Sequence, residues 1–465
     1  MRVSEVHAGP NNSEIAIYAR LLIPGRGKPL PNAVVGISVV DKTITHVGPQ
    51  HDLPHRLSNA PRFQVGYLLP GLWDCHTHFA GVTKVDFPSM IQTHPATCGA
   101  AIARGFHDTL MAGFTSVRDV GSFAIEAHVA VQAGLLLGPN VFGSGGCIGI
   151  TGGSSDATNL PLDWVYATQG VHHTKPWPGT SSLVIADGAD ECRRAVRQQI
   201  RRGASCIKVI TTGGVMSTTD DPQYRQYSDA ELHAVMDEAK LQGRAVAAHA
   251  HGKAGILAAV RAGARTIEHG SYLDEEVASL MKKYDCILVA TRHIVEAGLR
   301  RLDRMPPQTA AKMVAISAQH LEAYKLAVRS GVRIALGTDI CSSNVAEEIS
   351  HGKNGHELVW AVTKAGMSPL SAIEAATATA AETLGPQTPK KGLVKVGWDA
   401  DLIALDENPL ECIGVLAEPK NIKFIWQGAK LVKSPNDSFW PPSLDDLVGW
   451  NMIERAECAG CGQSH

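Results

Sequence analysis

From Gly71 onward the chain repeats one texture, a short apolar run followed by a stretch of helical period. Residues 115–119, 205–210, 245–249, 266–269, 287–291 and 333–339 read as buried parallel strands. Between them, residues 190–202, 229–242 and 255–263 read as amphipathic helices. Strands alternating with helices at this spacing admit few folds. They predict an α/β chain, and the span 71–384 suits a (β/α)8 barrel of the TIM type.

The ends of the chain differ. Residues 1–70 carry short β-branched runs at 15–22 and 33–47, broken by Pro24-Gly25-Arg26-Gly27 and Asp41-Lys42. Residues 385–433 return to β texture at 392–396, 400–405, 422–427 and 430–432. Pairing the two sets gives one small β-sandwich built from both ends. Residues 434–465 read as an irregular tail. Its Cys458 and Cys461 have metal-clip spacing but no second pair, so a loose tail is the simpler reading.

Composition narrows the partners. The chain has 465 residues and a formal net charge of -2, so no basic field draws it to nucleic acid or an anionic membrane. No apolar run is long enough to span a bilayer, and the first residues lack the apolar core of a signal peptide. The 10 cysteines are mostly scattered singly, which suits a reducing, cytoplasmic setting better than a disulfide framework.

The chemistry lies at the strand ends. Asp74-Cys75-His76-Thr77-His78 follows Leu68-Leu69-Pro70-Gly71. Residues i and i+2 on a strand share a face, so His76 and His78 can reach one cation. A bare His-x-His is also a common surface pair. Lys208 lies within the apolar run Cys206-Ile207-Lys208-Val209-Ile210. Burial favours its neutral amine, which can take up carbon dioxide and become an anionic carbamate. The plainer alternative is a lysine snorkelling to solvent. His249 and His251 end the next apolar run, Glu268 and His269 the one after, and Asp339 the last of the series. In a barrel all these ends open on one face, where active sites are built. Five separate strands delivering histidines, a lysine and an acid are poorly explained as core histidines.

These residues resemble the amidohydrolase superfamily, in its binuclear-zinc branch with a carboxylated lysine. The order His-x-His, Lys, His, His, Asp is the family's, and the resemblance covers nearly the whole chain, including the return Gly392-Leu-Val-Lys-Val-Gly397-Trp398-Asp399-Ala400-Asp401. Gly71-Leu-Trp-Asp74-Cys75-His76, Gly214-Val-Met-Ser217, His251-Gly-Lys-Ala-Gly255 and Asn408-Pro-Leu-Glu411 look similar to the Xaa-Pro and related dipeptidases and to the fungal ochratoxinases. The resemblance implies two divalent cations, with zinc the expected metal. His76 and His78 with Asp339 would hold the more buried cation, and His249 and His269 the more exposed one. Lys208, as a carbamate derived from carbon dioxide, would bridge them. It further implies attack by a hydroxide shared between the cations, with Asp339 as general base. The implied partner is a small-molecule amide, either a dipeptide-like or N-acyl amino acid, ochratoxin A included. A homo-oligomer is implied without a fixed number.

The pattern also departs from the family. Its Thr-Gly-Gly-His-type loop reads Thr151-Gly152-Gly153-Ser154-Ser155-Asp156 here, so Ser154 stands where a substrate-binding histidine is usual. Tyr224, Tyr227, His251, Arg292 and His293 are further candidates for substrate contact, each with a packing or salt-bridge alternative. Arg118 and Asp119 read as structural, and His351 and His356 as helix-surface residues. A deaminase of the same superfamily is disfavoured by Lys208 and by the lack of an acid close behind His251. A metal-dependent decarboxylase, and a catalytically silent barrel used for assembly, remain as alternatives. Silent relatives usually lose ligands, whereas all the expected positions stand here.

Overall fold

The computed structural model describes residues 13–171 and 182–435. The alternation read from the sequence closes into a ring of parallel strands. Leu72–Thr77, Phe114–Asp119 and Asn140–Gly143 pair in that order. The last of these leads into Cys147–Gly149, which pairs with Cys206–Ile210. Ala245–Ala250, Thr266–His269 and Ile287–Val289 follow in sequence order. Residues 333–339 complete the ring through parallel bridges, Leu288 to Ile334 on one side and Thr77 to Ile340 on the other. The helices lie outside. Ser228 and Glu231 form a capping box that starts the helix Asp229–Leu241. Gly203 and Gly263, both left-handed, end the helices Ala189–Arg202 and Lys253–Ala262.

Side chains alternate as a barrel requires. Ile207, Val209, Val246, Ile267 and Leu288 point outward into the core shared with the helices. Trp73, Cys75, Cys206, Ile287, Val289 and Ala335 point inward and form the barrel floor, with Phe142 stacked on Trp73. The register of the first strand shifts between Asp74 and Thr77. This bulge allows Cys75 to pack in the floor while His76 and His78 both face the metal side.

The two ends of the chain do pair. Lys430–Lys433, Ile422–Gln427, Leu402–Leu405, Arg62–Pro70, Glu14–Leu22, Leu30–Ser38 and Ile44–Pro49 make one mixed sheet in that order. The stretch 397–400 hydrogen-bonds back to Ile44 and Lys42, folding the sheet around a core of Ile17, Val35, Leu68, Leu402 and Trp426. All cysteines among the described residues are free. No helix among those residues is long and apolar enough to cross a membrane. Cys458 and Cys461 lie outside the described residues.

Candidate metal centre

Two clusters of donor atoms form at one end of the ring. His76, His78 and Asp339 make the first, and His249, His251 and His269 the second, each with its ligand atoms within 4.8 Å of one another. The His76 and His269 rings are 5.0 Å apart, so the clusters adjoin. Lys208 is buried, with its Nζ 3.4 Å from His76 Nε2. Asp339 Oδ1 lies 3.1 Å from His78 Nε2 and 3.6 Å from His76 Nε2.

Each ring is held from behind. His78 Nδ1 donates to the Gly121 carbonyl at 2.9 Å, and His76 Nδ1 to Glu268 Oε2 at 2.7 Å. His269 Nδ1 pairs with Thr291 Oγ1 at 2.7 Å and His251 Nδ1 with Ser271 Oγ at 2.8 Å. The Nε2 atoms of these four rings are thereby turned toward the clusters, the usual way a protein presents imidazole to a metal. His249 is the exception, with Nε2 3.3 Å from the Gly213 carbonyl. His269, Asp339 and Thr291 all have positive φ, at 71°, 64° and 55°. Such conformations cost non-glycine residues energy, and they gather where surrounding contacts hold a functional geometry.

The electrostatics suit cation binding. Burial, then the Lys208 charge, pushes the His76 ring down to about 3 and the His249 ring to about 4. Burial, then His249, holds His251 and His269 well below the usual histidine range. These rings are therefore neutral at pH 7, the form that ligates metal. Burial also lowers the Lys208 ammonium. Burial would raise Asp339, but His76, His78 and Lys208 outweigh it and keep the carboxylate ionised. Burial would lower the His78 ring, but the Asp339 carboxylate outweighs it and raises the ring. Four neutral imidazoles, His78, one carboxylate and a buried amine converging from several strands make a donor set that fits divalent cations.

The chain matches the amidohydrolase family model over residues 67–432. It is 46% identical over 431 residues to ochratoxinase of Aspergillus niger, covering 91% of this chain and 88% of that protein. The chain belongs to the amidohydrolase family. The crystal structure of A. niger ochratoxinase superposes on this amidohydrolase with a TM-score of 0.85 at 45% identity, covering 91% of this chain and 96% of that one. A Xaa-Pro dipeptidase with methionine bound in its active site gives a TM-score of 0.77 at 30% identity, covering 91% and 100%. Family membership makes the chain a hydrolase acting on carbon–nitrogen bonds, and the donor clusters are those of a metal-dependent one.

The other expected residues divide. His251 stands in the second cluster. Ser154 packs against Gly214, whose own neighbour is His249, so the loop at Thr151 does border the centre. Tyr224 is 72% exposed. Tyr227 is a correction: it is buried in the core, and its hydroxyl donates to the Ala186 carbonyl, which leaves nothing for a substrate. Arg292 is also a correction. Its guanidinium is taken up by Glu296 at 2.7 Å, the Ser317 carbonyl at 2.8 Å and His320, away from the donor clusters. His293 donates Nε2 to the Glu348 carbonyl and stacks on His356. His351, expected on a helix surface, is instead buried and stacked on Phe79 at 4.1 Å. Asp119 accepts from Phe79 N, Gly121 N and Ser122 Oγ, and so fixes the loop behind His78.

Two buried acids visible in the sequence, Asp74 and Glu268, had no role assigned there. Asp74 accepts from the backbone of His76 and Thr338, the Thr338 hydroxyl and the Asn354 amide. Glu268 supports His76. The available signal was an acid inside each apolar strand, beside a histidine that drew the attention.

Proposed function

We propose that this amidohydrolase cleaves the amide bond of a dipeptide-like or N-acyl amino acid substrate, ochratoxin A included. The carrying observation is the pair of adjoining donor clusters with Lys208 buried beside them. The 46% identity to ochratoxinase favours an N-acyl amino acid of that kind. His76, His78 and Asp339 would hold one divalent cation, and His249 and His269 a second. Lys208 would bridge them after its neutral amine adds carbon dioxide and releases a proton. Bound zinc would supply Lewis acidity toward the scissile carbonyl and a water with a pKa of about 7.

The remaining steps belong to the chain. Asp339, ionised at neutral pH, accepts the proton of the attacking water and returns it to the leaving amine nitrogen. His251 would hold the substrate carbonyl or carboxylate in the tautomer whose Nδ1 accepts from the Ser271 hydroxyl, which leaves Nε2–H to donate to the substrate oxygen. Ser154, smaller than the histidine usual in that loop, would leave room for substrate near Gly214 and His249. The exposed Tyr224 would serve at the rim.

Asp339→Asn tests the assignment. It keeps the shape and removes the base, so turnover falls by about 10²–10⁴ while KM moves little. Turnover near the wild-type value would remove Asp339 from this role. A panel of N-acyl amino acids, dipeptides and ochratoxin A, read by mass spectrometry, decides the substrate class. Release of carbon dioxide or ammonia in place of amide cleavage would favour a decarboxylase or deaminase.

A further inference from the structure

Barrel interiors are usually filled by packed apolar side chains. Here an ion pair is buried inside the barrel beside the metal histidines. Arg118 and Glu268 are 1% and 0% exposed, and Arg118 Nη2 donates to Glu268 Oε1 at 2.7 Å. Every arm of the pair is used. Arg118 Nη1 donates to Thr266 Oγ1 at 2.9 Å, and Thr266 in turn donates to Glu268. The other Glu268 oxygen accepts His76 Nδ1 at 2.7 Å. Arg118 Nε donates to the carbonyl of Cys75, the residue before His76, at 2.7 Å. The pair therefore holds His76 at two points, its ring through Glu268 and its preceding peptide through Arg118.

We propose that the Arg118–Glu268 pair is the positioning device of the first cation site, fixing His76 in the tautomer and orientation that present Nε2. This rests on the reading of His76 as a metal ligand. Three strands meet at the device: His76 from Leu72–Thr77, Arg118 from the neighbouring Phe114–Asp119, Glu268 from Thr266–His269. The second strand carries no ligand, so Arg118 is its contribution to the centre. Arg118 also balances the carboxylate. A Glu268 without it would be an unpaired buried charge beside the cation, free to protonate or turn away from the ring. The second cluster is held differently, by the hydroxyls of Ser271 and Thr291. Loss of the pair should thus weaken one site and spare the other.

The test measures zinc rather than activity. Wild type, Glu268→Gln, Glu268→Asp and the charge-free double variant Arg118→Met/Glu268→Gln are loaded with zinc and bicarbonate, then titrated with a colorimetric chelator. Wild type should hold two cations per chain, as the proposed function requires. Glu268→Gln and the double variant should keep one with wild-type affinity and release the other about 10–100-fold more readily. Glu268→Asp, which keeps the acid, should recover part of the loss. The double variant replaces both charges, so it tests the idea even if a single charge left unpaired prevents folding. A folded double variant that holds both cations as tightly as wild type overturns the positioning role while leaving the proposed function standing. A wild type that holds fewer than one cation overturns both.

Discussion

Asp74 and Asn354 offer a test in which two damaging changes should repair each other. Asp74 Oδ1 accepts the backbone N–H of His76 and of Thr338, each at 3.1 Å. Its Oδ2 accepts the Thr338 hydroxyl at 2.6 Å and the Asn354 amide at 2.7 Å. Asn354 cannot flip freely, because its own Oδ1 accepts Gly352 N at 3.1 Å. Asp74→Asn therefore sets one NH2 group against another in a dry site. Orphaning buried donors costs ~1–3 kcal/mol each, so this variant should lose about 3 kcal/mol. Asn354→Asp faces two buried carboxylates and should lose at least as much, about 3–5 kcal/mol. The double variant Asp74→Asn/Asn354→Asp restores a donor–acceptor pair with the polarity reversed. The favourable coupling should be about 2 kcal/mol or more. Urea unfolding of the zinc-loaded proteins measures it, with midpoints moving at constant slope. Turnover should follow, since Thr338 precedes Asp339 and its strained backbone. It should fall about tenfold in each single variant and largely return in the double. Losses that simply add, within ~0.5 kcal/mol, would refute the reasoning, because additivity marks independent sites.

Other predictions concern the supports around the centre. His320 is buried, donating Nε2–H to the Ala290 carbonyl at 2.6 Å and accepting from Arg292 on Nδ1 at 3.3 Å. Burial, then the Arg292 charge, lowers it to about 4. Its stabilising contribution is thus present above pH 6.5 and is lost as pH falls toward 4. Between pH 7 and 5 it should cost wild type about 2 kcal/mol more than His320→Gln, read from unfolding at the two pH values. Arg292→Met should lower unfolding free energy by about 2–3 kcal/mol and leave kcat/KM per folded enzyme within twofold; a large kcat/KM loss in a stable variant would return Arg292 to the substrate pocket.

Much of this was legible in the sequence because periodicity and strand ends carry it. Apolar strands that end in His76, His249, His269 and Asp339 announce both the barrel and its functional face. The bulge between Asp74 and Thr77 was not legible, since it depends on register with a neighbouring strand. Tyr227, Arg292 and His351 show the other limit. Near a barrel mouth, a polar residue turns inward or away according to which helix packs over it. Arg292 turned away because Glu296 stands one helical turn along and the Ser317 carbonyl lies on the next helix. Those partners are remote in pattern, though not in space. Glu268 and Arg118 were visible as charges in apolar strands, but their joint hold on His76 needs three strands at once.

Metal stoichiometry tests the bridged centre most directly. Elemental analysis of the purified chain, reconstituted with zinc and bicarbonate, should give about two cations per chain. The same measurement on Lys208→Met, which fills the space but cannot form a carbamate, should give one or fewer, with amide cleavage lost in parallel. Fewer than one cation in the reconstituted wild type, or two in the lysine variant, would contradict a centre bridged through Lys208.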